Sequence, residues 1–273
     1  MEMDRPGDPK RVREMFGGIA RRYDLLNHLL SANLDRRWRR AAVRSVPAGG
    51  AGRVLDLCGG TGDLAIDLIR GERAAEVICC DFSHPMLLLA RDKFRRLRIQ
   101  DRCHVLEADA LGLPFANGSF DAVTVGFGVR NFSCLESGLR EIHRVLKPSG
   151  SMVVLEFSQP TGPMFSRLYR FYLNRILPRL GDWIGQGRGA YRYLASTISE
   201  FPDPPGLAGR IRSCGFASCG WTRLTGGIVA VHVGHKQAVI RPRAARATTP
   251  SARAAGSRPA EKSPSVANRR PRR

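Results

Sequence analysis

No stretch of the 273-residue chain holds the roughly 18 to 20 uninterrupted apolar residues that a membrane-spanning helix needs. The charged start MEMDRPGDPKRVRE is not followed by the apolar region of a signal peptide, so the expected location is the cytoplasm. Cysteine is scattered rather than patterned: Cys58, Cys79, Cys80, Cys103, Cys134, Cys214 and Cys219 form no CxxC pair and are odd in number. Several sit in apolar runs, which favours reduced, buried thiols over disulfides or a zinc site. No internal repeat is apparent, which argues against a solenoid or propeller. Acidic residues are also short, 24 against 44 Lys+Arg, for a net charge of +20. What is present is apolar bulk. At 43% hydrophobic residues the chain can build a full core, as one large domain or two small ones, and wholesale disorder or a collagen-like fibre is excluded.

The charge is unevenly placed. From Ala238 to the end there are ten Lys+Arg and one acid, Glu261, a net of +9 in a segment of mostly Arg, Ala, Pro, Ser and Thr without an aromatic. Such a segment cannot bury enough surface to fold, so a basic disordered tail is expected over 238–273. The remaining +11 belongs to residues 1–237 and is far less unusual.

Residues 8–46 read as helices, with Val12, Met15, Phe16 and Ile19 and later Leu34, Trp38, Ala41 and Ala42 at helical spacing, and 1–48 is expected to form an N-terminal helical cap. The pattern then changes. Apolar and β-branched runs at 53–57, 76–81, 103–109, 120–127 and 151–157 alternate with helical stretches at 63–70, 84–97 and 135–146. Lys147-Pro148-Ser149-Gly150 reads as the turn that ends the last of these helices. Strands alternating with helices of this length indicate βαβ units and a parallel sheet. A helical, aromatic insertion follows at about 163–200, then a helix over 205–214 and two strand-like runs, 216–224 and 228–234, joined by Thr225-Gly226-Gly227 as an antiparallel hairpin.

The sharpest local signal is Val54-Leu55-Asp56-Leu57-Cys58-Gly59-Gly60-Thr61-Gly62-Asp63-Leu64-Ala65. A strand runs into a glycine turn and then into a helix, so backbone approaches a ligand closely and helix-terminal N–H groups point at it. Asp81, at the end of the second strand, is placed to accept hydrogen bonds from both hydroxyls of a ribose. NAD and S-adenosylmethionine share this geometry. Two further acids favour the second: Asp56 in the strand that feeds the loop, and Asp109, followed by Ala110, at the end of the third strand. A carboxylate-lined crevice repels a pyrophosphate and attracts a sulfonium and an ammonium.

With these residues assembled, the chain resembles the ubiquinone/menaquinone biosynthesis C-methyltransferase family over approximately residues 9–237. The specific segments are Phe16-Gly17-Gly18-Ile19-Ala20-Arg21-Arg22-Tyr23-Asp24-Leu25-Leu26-Asn27, the loop Leu57 to Asp63, and Phe127-Gly128-Val129-Arg130-Asn131. Leu146-Lys147-Pro148, Leu155-Glu156-Phe157-Ser158, Tyr191-Arg192-Tyr193-Leu194 and the run 224–230 match as well. The resemblance implies an α/β class I S-adenosylmethionine-dependent methyltransferase fold, Rossmann-like, over 49–237. Its mostly parallel seven-stranded sheet would carry a C-terminal antiparallel hairpin and N-terminal helices. It also implies transfer of a methyl group from S-adenosyl-L-methionine to a ring carbon of a polyprenylated quinol, leaving S-adenosyl-L-homocysteine, with no metal. Demethylmenaquinol is the favoured substrate; a 2-polyprenyl-6-methoxy-1,4-benzoquinol is the alternative. The cofactor set expected is Asp56, Gly59, Gly60, Thr61, Gly62, Asp81, Asp109 and Ala110. One departure is visible: many members resembling this chain carry Ser where it has Gly126, so one hydroxyl contact is missing.

Methylating a ring carbon requires a stabilised phenolic oxyanion in a water-poor pocket. Arg130 is the candidate for that charge, because a guanidinium stays protonated and serves as an electrostatic partner rather than a base. Asn131 could orient a ring oxygen, and Tyr23 could bond the other oxygen or stack on the ring. The plain alternatives are an Arg130 paired to a carboxylate, a Tyr23 in the core, and Asp24 and Asp35 as helix caps.

A polyprenyl quinol dissolves in the bilayer, so its enzyme must meet it there. Phe165, Leu168, Tyr169, Phe171 and Tyr172 alternate with Arg167, Arg170 and Arg175 in the insertion, which suits peripheral binding to an anionic membrane. The same face could equally cover the core or a homodimer partner. Nucleic acid, as for an RNA methyltransferase, is disfavoured by the moderate folded charge and the absence of an Asn-Pro-Pro-Tyr run or a paired catalytic cysteine arrangement.

Overall fold

The computed structural model describes residues 13, 17–18, 20, 24–25, 27–28, 31–47, 51–176, 179 and 190–238. Tyr23 and the basic tail from Val239 lie outside the described residues.

Seven strands form one sheet in the order β3-β2-β1-β4-β5-β7-β6. They are β1 (Ala51–Leu57), β2 (Ala74–Asp81), β3 (Cys103–Glu107), β4 (Phe120–Gly126), β5 (Leu146–Phe157), β6 (Ser218–Leu224) and β7 (Val229–His235). The first five pair in parallel, while β7 runs antiparallel to both β5 and β6. The reversal of strand order falls between β1 and β4, the place where open α/β sheets leave a crevice at the carboxyl ends of their strands.

Strand periodicity divides the core between the two faces. Val54 belongs to one apolar cluster with Leu64, Leu68, Leu87 and Phe94, whereas Leu55 and Leu57 belong to another with Leu139, Ile142, Leu207 and Ile211. The first cluster is covered by α1 (Leu34–Ser45), α2 (Asp63–Arg70) and α3 (His84–Arg96), the second by α4 (Leu135–Val145) and α7 (Pro204–Ser213). Helix α1 turns Trp38, Ala42 and Val43 inward, and the Trp38 indole N–H donates to Thr225 Oγ1 at 2.7 Å, tying α1 to the hairpin turn. The insertion holds α5 (Pro163–Phe171), which runs into a π-helical turn (Tyr172–Ile176), and α6 (Ala190–Glu200).

Two expectations need correction. Strand β3 stops at Glu107, so Asp109 lies two residues beyond it; its Oδ1 accepts the Leu111 N–H at 2.9 Å, and this local turn replaces the ladder. Lys147 to Gly150 does not simply separate a helix from a strand, because β5 already begins at Leu146, opposite Phe120. The register then shifts so that Ser151 pairs with Ala122, and the intervening residues bulge with Ser149 at φ 64°.

Candidate active site

The glycine loop takes its shape from what surrounds it. A Cβ on Gly59 would stand 2.5 Å from Cys79 Sγ, and one on Gly62, where φ is +82°, would stand 2.6 Å from the Phe94 ring. Only glycine fits at these two positions. Gly62 is also the N-cap of α2 and provides no side chain to the helix, whose first-turn Ala65 N–H is taken by Asp56. Asp81 fastens the loop to β2: its Oδ2 accepts the Gly60 N–H at 2.9 Å and its Oδ1 the Ser83 N–H at 2.8 Å. Burial raises the Asp81 carboxyl above its ordinary value, with these N–H bonds pulling the other way.

A cavity of about 110 Å³ opens beside this carboxylate, walled by Asp81, Phe82, Met86, Asp109, Ala110 and Asn131. A second, of about 480 Å³, lies beyond it and shares Cys58, Gly60, Gly126 and Phe127 with the first. Its walls include Trp38, Phe157, Tyr169, Leu173 and Leu194, with Asp56, Thr61 and Arg130 among them. Apart from Gly62, the residues expected to hold a cofactor thus line two adjoining cavities, a small one by Asp81 and a large, mostly apolar one.

Thr61 is buried and fully engaged. Its hydroxyl donates to Asp24 Oδ1 at 2.6 Å and accepts from Lys93 Nζ at 2.9 Å, while Lys93 Nζ also stands 2.5 Å from Asp24 and 2.6 Å from Asp63. Arg39 extends the chain of charges, 3.4 Å from Asp63, 3.0 Å from Asp67 and 2.6 Å from Asp35. Asp35 in turn accepts from Ser31 and lies 2.8 Å from His28. Burial acts to raise Asp35, but the bonds from His28 and Ser31 and the charge of Arg39 outweigh it and hold its carboxyl low. Asp35 stands inside the first turn of α1, whose N-cap is Asn33, so it does not cap that helix; Asp24 and Asp35 bind the N-terminal helical residues to the loop and to α1.

Asp56 is fully buried in β1, and its Oδ1 accepts from Thr124 Oγ1 at 2.8 Å. Burial pushes its carboxyl up to about 7, against the Thr124 and Ala65 bonds. A native pKa above the unfolded one means that the folded chain holds this proton more tightly. The stability this gives is full below the unfolded value and is lost as pH rises through about 7. Asp56→Asn has no proton to lose, so its Tm is expected to fall less than that of the wild type between about pH 5 and about pH 7.5. Parallel Tm profiles by scanning calorimetry would remove Asp56 as the source.

Arg130 follows β4 in a single 3-10 turn, Val129–Asn131. Its Nη1 donates to Glu156 Oε1 at 2.7 Å and to the Phe127 carbonyl at 2.5 Å, and its guanidinium stands over the Phe157 ring, 5.3 Å from the centroid. The paired arginine foreseen as the plain alternative is what the structure holds, and the pair is part of the large cavity through Arg130. Asn131 is on the wall of the smaller cavity and accepts from the Tyr193 hydroxyl at 3.2 Å. Glu156 and Tyr193 were visible in the sequence only as letters within matched segments; the 26 and 62 residues that separate them from Arg130 and Asn131 concealed the contacts. Lys93 was missed altogether, since a lysine on an amphipathic helix reads as solvated surface. Among the described residues no group of three His, Cys, Asp or Glu is arranged to hold a metal ion.

Two solved structures share the architecture: the cyclase SpnF, with a TM-score of 0.57 and 16% identity over 84% of this chain and 97% of that one, and a Thermotoga maritima protein. The latter, described as a SAM-dependent methyltransferase and possible histamine N-methyltransferase, has a TM-score of 0.58 and 17% identity over 82% of this chain and 99% of that one. At such identities they establish the fold alone, the class I methyltransferase fold. Sequence relatives are far nearer. The demethylmenaquinone methyltransferase of Thermus thermophilus is 48% identical over 222 residues, 81% of this chain and all of that one. The ubiquinone/menaquinone biosynthesis C-methyltransferase UbiE of a Geobacter species is 45% identical over 228 residues, 83% of this chain and 97% of that one. The match to a single family runs from residue 5 to residue 236, through the glycine loop, the Arg130 turn and the closing hairpin, and the chain belongs to the ubiE/COQ5 methyltransferase family.

Proposed function

We propose that this methyltransferase places a methyl group on a ring carbon of a polyprenylated quinol, with demethylmenaquinol as its substrate. The observation that carries the reading is the large cavity, whose apolar, aromatic wall suits a quinol ring and the first part of its prenyl chain, with the buried Arg130 among its lining. The names of the relatives support it. S-adenosylmethionine, when bound, supplies an electrophilic methyl on a sulfonium. The chain's residues fit that molecule: Gly60 stands against open space, and Asp81 keeps lone pairs for ribose hydroxyls after accepting two N–H bonds. Asp56 and Thr61 lie on the larger cavity, and Asp109 and Ala110 beside Asp81 flank the base. Arg130 stabilises the ring oxyanion; Asn131, which lines the smaller cavity and not the larger, is assigned to the second oxygen from its place next to Arg130 in the sequence, and Tyr23 to the ring from the family resemblance.

The cavity wall and the protein surface meet in the insertion. Phe165, Leu168 and Ile176 line the cavity yet are solvent-exposed, beside the exposed Met164 and Phe171. Arg167, Arg170 and Arg175 stand among them, so this face suits an anionic bilayer from which the prenyl chain enters. No helix among the described residues is long and apolar enough to cross a membrane, in keeping with peripheral attachment.

Methyl transfer from labelled cofactor to demethylmenaquinol in anionic vesicles, to a 6-methoxy benzoquinol and to bulk RNA tests this. Labelled menaquinol as the main product is expected. Label in RNA alone would overturn the proposal, and preference for the benzoquinol would replace its substrate.

A further inference from the structure

The carboxylate beneath Arg130 has no assigned part in the chemistry. Glu156 is 1% exposed and is not on the cavity wall, whereas Arg130, 7% exposed, is. Glu156 Oε1 takes the Nη1 bond at 2.7 Å and also accepts the Phe157 N–H at 2.8 Å, and its Oε2 accepts the Arg130 backbone N–H at 3.4 Å. The carboxylate is thereby fixed to both strands' ends, and it fixes the guanidinium. Among the described residues, both side-chain hydrogen bonds of Arg130 use Nη1, and Nε is buried without a partner. A planar guanidinium held at one end presents its remaining N–H groups in a fixed fork, the geometry that recognises an oxyanion.

We propose that Glu156 is a positioning residue for the oxyanion: it holds Arg130 Nη1 so that the guanidinium presents its N–H groups not taken by Glu156 and Phe127 to the ionised ring oxygen of the substrate. This deepens the quinol reading and rests on it. Glu156 touches neither ring nor methyl group and acts through Arg130. A carboxylate that merely neutralised the arginine would have the opposite effect, because removing it would leave a stronger attraction for an anion.

The test uses full-length Glu156→Gln, Glu156→Asp, Arg130→Ala and the Arg130→Ala/Glu156→Gln double variant. Turnover of quinol is measured, together with cofactor affinity by calorimetry and binding of an ionised hydroxynaphthoquinone by its absorbance. Glu156→Gln is expected to lower kcat about 100-fold and weaken the probe at least about tenfold, with cofactor Kd unchanged within about twofold. Glu156→Asp recovers part of the kcat, and the double variant is no slower than Arg130→Ala, since Glu156 acts only through the guanidinium. Tighter probe binding by Glu156→Gln, additive losses in the double variant, or a cofactor affinity that falls with kcat would overturn the proposal. Where Glu156→Gln does not fold, Glu156→Asp decides: a lower kcat and weaker probe binding at unchanged cofactor Kd support positioning, and wild-type values refute it. A wild-type chain that binds the probe but methylates no quinol would refute the substrate reading and leave the clamp standing; one that does neither refutes both.

Discussion

Asp81→Asn is expected to weaken S-adenosylmethionine binding about 100-fold, read by calorimetry with the full chain. The substitution keeps the size of the side chain and changes two things. The amide is neutral, so bonds from ribose hydroxyls lose their charge assistance, about 1.5 to 3 kcal/mol for such a group. The amide also turns an N–H₂ toward either the Gly60 or the Ser83 N–H, where the carboxylate now accepts from both at 2.9 and 2.8 Å. One donor must then face another, and the loop that forms the floor of both cavities shifts with Gly60. Each tenfold in affinity corresponds to about 1.4 kcal/mol, so the loss of one charged bond and the loop displacement together reach two decades. Affinity retained within about threefold would remove Asp81 from the nucleoside site.

Gly62→Ala carries the largest stability effect, a loss of about 3 kcal/mol. A left-handed backbone costs a non-glycine residue roughly 1 to 2 kcal/mol, and φ at Gly62 is +82°. The added methyl would stand 2.6 and 2.7 Å from two Phe94 ring carbons and 3.1 Å from Ala90 Cβ. Phe94 is 1% exposed inside the core cluster of α2 and α3, so it cannot swing into solvent, and overpacking of this kind costs about 1 to 3 kcal/mol. For a fold of this size that is a fall in Tm of roughly 6 to 12 °C, measured by calorimetry without ligand. Gly60→Ala is the control: its φ is +54°, but no atom lies within 4 Å of the added Cβ, so it should lose only the backbone part. Equal losses in the two variants would show that the contact with Phe94 does not matter.

Legibility in the sequence followed the range of the interactions. Strands buried on both faces, such as EVICCD in β2, are short apolar runs, and the two-residue alternation of Val54 and Leu55 between clusters is local. The glycine loop was legible because its reason is local too, a backbone turn between strand and helix. Asp109 was set at the end of a strand because His104, Val105 and Leu106 pass smoothly into it. The competing Asx-type bond to Leu111 ends the ladder earlier, and nothing in the apolar pattern marks that. The bulge at Lys147 to Gly150 looked like a plain helix stop for a similar reason: proline and glycine announce a break but not whether pairing has already begun. Long-range polar contacts were hidden. Lys93 meets Thr61 across 32 positions and Trp38 meets Thr225 across 187, with no periodicity to connect them. Arg130 was identified through its motif, yet its partner, which decides how its charge is presented, lies on the neighbouring strand.

The larger cavity has a consequence for which quinols this enzyme can tell apart. Its volume of about 480 Å³ is that of a pocket for one drug-sized molecule, enough for a bicyclic ring and the start of its side chain. Leu168 and Ile176 belong at once to its wall and to the protein surface, so on the proposed quinol reading a long prenyl chain would leave the protein at that rim. With the protein on a bilayer, as proposed, isoprene units beyond the rim would remain in lipid and have the same surroundings before and after the ring is seated. Tail length would then cancel from the specificity, and quinols that differ only in prenyl length are expected to react at one rate.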